Sequence, residues 1–201
     1  MLNTKLSFKI IIFGFIFTFF SSFGQSFFIG LFNSNIRLDL NISHGQFGTI
    51  YALATLASSF TLIWVGKKID DLKLINFSFF VILLLFFSSI FFSFVSSIYL
   101  LFSGIFLLRL SGQGLMSHTA TTSISRYFNL NRGKALSITW LGLSAAEFIM
   151  PITIVFFLSL YSWRSIWISI GLIVILFLPF ISFLTIKNIK LTSREKDNIN
   201  L

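Results

Sequence analysis

The chain has 201 residues, of which 56% are hydrophobic, 18% aromatic and only 10% charged. A soluble domain carries about 25% charged residues because its surface faces water. This composition therefore excludes an ordinary soluble fold and predicts that most of the surface contacts lipid. The absence of cysteine excludes disulfides, thiolate metal sites and cysteine nucleophiles. The net charge of +9 would suit nucleic acid, but it also suits basic loops held against an anionic membrane leaflet.

Six hydrophobic stretches are long enough to cross a membrane, which takes about 20 mostly apolar residues in a helix. Their connections are short, so we expect one all-α six-helix bundle over residues 1–186 and a basic cytoplasmic tail over 187–201. The first stretch is longer than the roughly 7–15-residue core of a signal peptide, and we expect it to be retained. The predicted spans are Ile10–Phe32, Gly45–Val65, Leu74–Val95, Ile98–Thr121, Ala135–Leu158 and Ser165–Ile186.

The basic residues divide unevenly between the two sides of this predicted bundle. With the N-terminus in the cytoplasm, twelve of the fifteen Lys and Arg residues fall in cytoplasmic segments, and only Arg37 and Arg164 fall in external loops. Cytoplasmic loops carry the excess of Lys and Arg. We therefore expect both termini in the cytoplasm, in a plasma membrane or bacterial inner membrane. This distribution accounts for the net charge without nucleic acid, which we do not expect as a partner.

Two ionisable residues are predicted near the middle of the membrane. Arg109 and Glu147 each lie about 12 residues, or roughly 18 Å, from the cytoplasmic ends of the fourth and fifth spans. An isolated charge there costs about 2.5–3.5 kcal/mol, which an ion pair or a water-filled cavity offsets. Because the two spans are consecutive and antiparallel, we expect the side chains to face each other. A structural ion pair and a substrate or proton site both fit this arrangement.

Residues around these charges suggest further roles. Gln113 follows Arg109 by four residues and is expected on the same helix face, while Gly112 and Gly114 permit close approach of a neighbouring helix. Pro151 removes the hydrogen bond to the carbonyl of Glu147, so the fifth helix is expected to kink, either as a moving gate or as simple architecture.

The connection after the second span is polar and begins with a glycine. Gly66 lets the chain turn as it leaves the membrane. Asp70 is expected either to cap the third helix or to bind nearby basic residues, and a solvated run of charges that includes Lys73 is the alternative. His44 and His118 fall in different segments, so no metal site is predicted, and no cofactor or catalytic residue is assigned.

Five short patterns, each on the expected span or loop, resemble those of the major facilitator superfamily. One of them is similar to the fourth-to-fifth loop of the monocarboxylate and oxalate/formate-like branch. The residues that carry the resemblance are Gly66, Asp70 and Lys73; Arg109, Gly112 and Gly114; Arg126-Tyr127-Phe128 with Arg132-Gly133-Lys134-Ala135; Gly142 through Pro151; and Trp163-Arg164.

The resemblance implies half of a two-bundle transporter, built as a 3+3 inverted repeat, with a small solute held between the bundles. The solute is expected to be an organic anion such as a carboxylate. The cavity wall would be formed mainly by the first and fourth spans, with Gln25, Arg109 and Gln113 among its polar groups. A second six-helix bundle, either an identical chain or a separate one, is then the expected partner.

Two other functions compete with transport. A truncated, non-transporting remnant or a membrane scaffold is the main alternative. An intramembrane serine protease needs a Gly-x-Ser-Gly sequence and a histidine on another helix, but Leu101 stands before Ser103-Gly104 where the glycine is required. We therefore do not expect an enzyme.

Overall fold

The computed structural model describes residues 4–128, 131–187 and 189, with side chains from residue 7 onward. Every regular element in these residues is helical, as predicted. The basic residues Lys190, Arg194 and Lys196 of the predicted tail lie outside the described residues. The helices are Thr4–Ser21, Ser26–Leu31, Asn33–Leu40, His44–Lys67, Leu74–Ser93, Ile98–Leu108, Ser117–Tyr127, Arg132–Leu158 and Trp163–Ile186, with a 3₁₀ turn at Ser22–Gly24 and a π-helical segment at Arg109–Met116.

These helices form six segments that are long and apolar enough to cross a membrane, which confirms the predicted number. We call them spans 1 to 6 in chain order. They are Ser7–Leu31, His44–Lys67, Leu74–Ser93, Ile98–Tyr127, Arg132–Leu158 and Trp163–Ile186.

Two of the spans are interrupted where they meet. Span 1 is broken by the turn at Ser22–Gly24 and by Gln25, whose backbone is extended. Span 4 contains the π-helical segment, in which backbone hydrogen bonds reach back five residues instead of four. A methyl group on Gly24 would lie 2.3 Å from the carbonyl oxygen of Leu108, and one on Gly112 would lie 2.6 Å from the nitrogen of Gly24. The backbones of spans 1 and 4 therefore touch here.

The rest of the bundle is held by side-chain packing. Span 3 packs against span 6 and span 1 packs against span 5. At the junction of spans 1, 3 and 6 the fully buried Trp167 lies among three phenylalanines. Its ring centroid is 5.6 Å from that of Phe28, 5.2 Å from Phe32 and 4.9 Å from Phe92. These are ordinary separations for interacting aromatic rings.

Spans 2 and 5 are the least covered by the rest of the chain. In the most apolar 18-residue stretch of each span, only 11% of the residues of span 2 and 17% of those of span 5 are buried, against 39% to 50% in the other four spans. Two apolar helices thus present most of their surface outward, to lipid or to another protein.

An arginine joins three connections at the end of the bundle predicted to be external. Arg164 donates to the carbonyls of Ser93 and Val95, at 2.9 and 2.8 Å, and to the Asp39 carboxylate at 2.6 Å. Its guanidinium lies 4.3 Å from the ring centre of Trp163, whose indole N–H also donates to Asp39, at 3.2 Å. We call this group the external clamp.

Spans 1 and 5 approach closely at Gly142. A methyl group on this residue would lie 2.1 Å from the carbonyl oxygen of Phe15 and 2.4 Å from the hydroxyl of Thr18. That hydroxyl also donates a hydrogen bond of 2.5 Å to the carbonyl of Thr139. Gly142, the first residue of the pattern on span 5 that carries the family resemblance, therefore allows two backbones to pack.

Replacing Gly142 with alanine should destabilise the bundle, since the added methyl group would meet backbone that cannot move aside. Overpacking of this kind costs about 1–3 kcal/mol. Thermal unfolding in detergent should show a lower Tm for Gly142→Ala. Gly48→Ala is the matched control, because a methyl group at Gly48 meets nothing within 4 Å and alanine is favoured over glycine in a helix by roughly 0.5–1 kcal/mol. Equal Tm values for the two variants would contradict this account.

Candidate functional site

Arg109 is the one charged side chain buried within the described part of the bundle, with 7% of its surface exposed. It lies on span 4 and reaches to the break in span 1, where its Nη1 donates to the carbonyl of Gly24 at 3.1 Å and to the hydroxyl of Ser26 at 3.3 Å. The centre of its guanidinium lies 5.4 Å from the ring centre of Tyr51 on span 2, close enough for a cation–π contact. Arg109 thus binds the interrupted backbone with one edge of its guanidinium.

Several polar atoms of spans 2 and 4, which pack together at this arginine, are buried without a hydrogen-bond partner in the described residues. Four of them are Nε of Arg109, the hydroxyl of Tyr51, Oγ1 of Thr55 and Oε1 of Gln113. Leaving a buried donor or acceptor unpaired costs about 1–3 kcal/mol, so native structures rarely tolerate several together. The cluster combines donors and acceptors around one positive charge, which suits a polar or anionic group that enters between spans 2 and 4.

Two of these residues, Arg109 and Gln113, line a small cavity between spans 2 and 4, and with the four unpaired atoms it forms what we call the polar chamber. Its volume is about 130 Å³, and Arg109, Gln113, Gly114, Ser58, Ser59 and Leu62 line it. The prediction that Gln113 shares the face of Arg109 is confirmed, because both side chains reach this cavity. The π-helical segment spans the lining residues of span 4, and such segments are frequent at functional sites.

Sequence reasoning missed the contribution of span 2 to the chamber. Tyr51, Thr55 and Ser58 follow one another at intervals of four and three residues, which places them on one helix face. A polar stripe of this spacing on an otherwise apolar span was the available signal. Ser26 was also missed, and only the break in span 1 brings it to Arg109.

The predicted pairing of Arg109 with Glu147 is wrong in this structure. Glu147 is exposed on span 5 and forms no ion pair or hydrogen bond with any described residue. Span 5 packs mainly against span 1, whereas the π-helical segment of span 4 packs against spans 1, 2 and 3. Being consecutive in sequence did not make spans 4 and 5 neighbours at the depth of Arg109.

Other predicted residues lie outside the chamber. Gln25 is at the break in span 1, beside the residues that bind Arg109, but it does not line the cavity. Gly112 serves the crossing of spans 1 and 4, and Pro151 lies inside a continuous helix. Among the described residues, no group of three or more His, Asp or Glu side chains is placed to hold a metal ion.

The loop residues form a separate cluster between spans 2 and 4, at the end predicted to be cytoplasmic. Asp70 forms an ion pair with Arg126, which also donates to the carbonyl of Ile69 at 3.2 Å. Of the two roles foreseen for Asp70, the structure therefore shows binding to a basic residue. The carbonyl of Gly66 lies 3.2 Å from Nε2 of His118. Lys73 precedes span 3, and its side chain is exposed and does not cap that helix.

Substituting Arg109 and Glu147 together should produce additive changes in stability, since the two side chains do not interact. Arg109→Leu should destabilise the bundle by leaving the Gly24 carbonyl without its donor, whereas Glu147→Leu should have little effect. The changes in unfolding free energy caused by substitutions at groups without shared partners usually add within about 0.3–0.5 kcal/mol. A double-mutant cycle by thermal unfolding measures this. Recovery of stability in the double variant would show an ion pair after all.

Residues 14–199, nearly the whole chain, match the family model of the Major Facilitator Superfamily. No individual curated protein matches the chain. The family match agrees with the all-helical fold, its six spans and the packing of one half of a major-facilitator-type bundle. The chain therefore belongs to the major facilitator superfamily and is a multi-pass membrane transport protein.

Proposed function

We propose that the chain takes part in secondary active transport of a small organic anion, such as a carboxylate, with the polar chamber as the site that receives the charged group. The observation that carries this proposal is the buried Arg109, whose Nε has no partner among the described residues and which lines one cavity with Gln113, whose Oε1 is also unpaired. No buried acid in the described residues neutralises it. A fixed positive charge in a low-dielectric region favours an anion over a neutral or cationic solute.

The geometry of the guanidinium fits a carboxylate. Arg presents several N–H donors in one plane, which matches two carboxylate oxygens. One part of that plane is already bound to Gly24 and Ser26, which holds the side chain in place. The hydroxyl of Tyr51 can donate a further hydrogen bond to the same anion. We assign Gln113 to the polar lining as well, and we give Glu147 and Gln25 no contact with the anion.

The small size of the chamber supports the proposal that this bundle supplies only part of the site. Ligand pockets usually enclose roughly 300–1,000 Å³, and the chamber has about 130 Å³. It can hold the charged end of a solute but not most of its surface. We therefore propose that a second six-helix bundle, identical or separate, closes the site against the exposed faces of spans 2 and 5.

The proposed branch is the monocarboxylate and oxalate/formate-like one. It is supported by the sequence from Arg126 to Ala135, which joins the end of span 4 to the start of span 5, and by the uncompensated positive charge at Arg109. The alternative of a non-transporting remnant or scaffold is not favoured by the family match, which covers transporters.

The membrane and the orientation are also proposed. We place the chain in a plasma membrane or bacterial inner membrane with both termini in the cytoplasm. The support is the excess of Lys and Arg on one side of the spans. The external clamp and the Asp70–Arg126 cluster then lie on opposite sides of the membrane.

Uptake of a carboxylate into vesicles should depend on the chamber. We expect saturable uptake of radiolabelled acetate, lactate or oxalate by the natural chain. The uptake rate of Arg109→Gln should be lower by at least about tenfold, because removing one partner of a buried charge contact costs about 2–5 kcal/mol. Tyr51→Phe keeps the ring and removes only the hydroxyl, so it should raise KM without unfolding the bundle. Arg37→Gln is the control for loss of a positive charge outside the chamber. Equal uptake by all variants would contradict the proposed site.

The requirement for a second bundle should appear as a dependence on chain density. Vesicles with one chain each should show no uptake, and uptake should begin at densities that allow two chains to meet. If the partner is a separate bundle, uptake should appear only when that bundle is added. Saturable uptake at one chain per vesicle would contradict the need for a partner.

The orientation can be measured with single cysteines, because the natural chain has none. Lys73→Cys should react with a membrane-impermeant maleimide only from the cytoplasmic side, and Leu160→Cys only from the outside. Both side chains are exposed, so labelling reports their side of the membrane. The opposite pattern at both sites would reverse the proposed topology.

A further inference from the structure

A second cavity, apolar and larger than the chamber, opens between spans 1, 5 and 6. Its volume is about 520 Å³. Phe19, Phe20 and Phe23 of span 1 form its floor, and spans 5 and 6 form its walls. These two spans are consecutive, yet they make few contacts with each other. We call this cavity the lateral crevice.

The lateral crevice extends along the helices for most of the depth of one membrane leaflet. On span 5 its lining runs from Met150 to Phe157, with Tyr161 in the turn beyond, and on span 6 from Ser165 to Ile173. At 1.5 Å per residue these helical stretches measure roughly 10 and 12 Å. Half of the hydrocarbon core is about 15 Å. The crevice thus begins near the turn between spans 5 and 6 and extends most of the way to the middle of the membrane.

The exposed polar groups of the crevice lie near that turn. Tyr161 and Ser165 are both exposed there, and the hydroxyl of Ser165 lies 2.9 Å from that of Ser162. Deeper in the crevice, the hydroxyl of Thr153 donates to the carbonyl of Ile149 at 3.0 Å, and that of Ser169 donates to the carbonyl of Ser165 at 2.9 Å. Their hydrogen bonds are used within their own helices, so the deep part presents an apolar wall. An occupant must be apolar along its length and polar only at the turn.

The surroundings identify such an occupant. On the span 6 side of the crevice, side chains such as Leu172 are exposed, with 49% of its surface uncovered. Span 6 is not among the faces that we propose a second bundle covers, so in a membrane these side chains face lipid tails. A lipid chain that already lies against them can enter the apolar crevice without crossing a polar barrier.

We propose that the lateral crevice binds one acyl chain of a phospholipid from the leaflet that contains the turn between spans 5 and 6. Its head group would lie beside Tyr161 and Ser165. This is the outer leaflet if the proposed orientation holds. The site is independent of the polar chamber, because the two cavities share no lining residue.

Two adjacent residues provide a matched test. Ile173 lines the crevice and Leu172 does not, while both are about equally exposed, at 43% and 49%. Ile173→Trp should fill the crevice, and Leu172→Trp should add the same bulk outside it. Each variant is purified from palmitoyl-oleoyl phosphatidylglycerol nanodiscs into detergent, and the phospholipid retained per chain is counted by native mass spectrometry. We expect one retained phospholipid in the natural chain and in Leu172→Trp, and none in Ile173→Trp.

Two outcomes would overturn the proposal. One is equal lipid retention by all three proteins, including none in any of them. The other is unchanged lipid retention with loss of chain association in Ile173→Trp, which would make the crevice a protein interface. If Ile173→Trp fails to fold by circular dichroism, Thr153→Phe fills the crevice from span 5, and Val155→Phe is its control.

Discussion

The structure depends on satisfying backbone polar groups where two helices are interrupted inside the membrane. Hydrocarbon offers no water, so irregular backbone is tolerated at this depth only where protein or a cavity surrounds it. Span 1 breaks at Gly24, and span 4 widens into a π-helical segment at the same crossing. Arg109 binds the Gly24 carbonyl through Nη1, while its Nε has no partner among the described residues. One side chain therefore stabilises the irregular backbone and gives the polar chamber its positive charge.

The sequence predicted the features that follow from composition and length. The six spans came from hydrophobic runs, and the placement of Gln113 beside Arg109 came from helical periodicity. The crossing at Gly24 could not be foreseen, because the sequence shows neither the break in span 1 nor the π-helical segment. The predicted pairing of Arg109 with Glu147 failed because it assumed that consecutive antiparallel spans are neighbours along their whole length. Which helices touch is decided by packing, as at Gly142, and not by chain order.

The polar stripe of span 2 shows a different limit. Serine and threonine are common in apolar helices, where their hydroxyls usually bond to the backbone of their own helix. Ser59 does so, donating to the carbonyl of Thr55 at 2.9 Å. A hydroxyl residue on span 2 therefore does not by itself indicate a binding site. The polar stripe indicates a binding site only in combination with the buried guanidinium of Arg109. That combination requires spans 1, 2 and 4 to pack together.

The close contact of Gly24 with Gly112 has a consequence for how this sequence can change over time. A methyl group on either residue would enter the space of the other's backbone, at 2.6 to 2.8 Å. A second substitution at the partner cannot compensate, because both residues are already the smallest available. We therefore expect no single substitution at either position, and no pair of substitutions at both, to be neutral. Lineages of this protein should therefore drift freely on the lipid-facing surface while keeping both glycines.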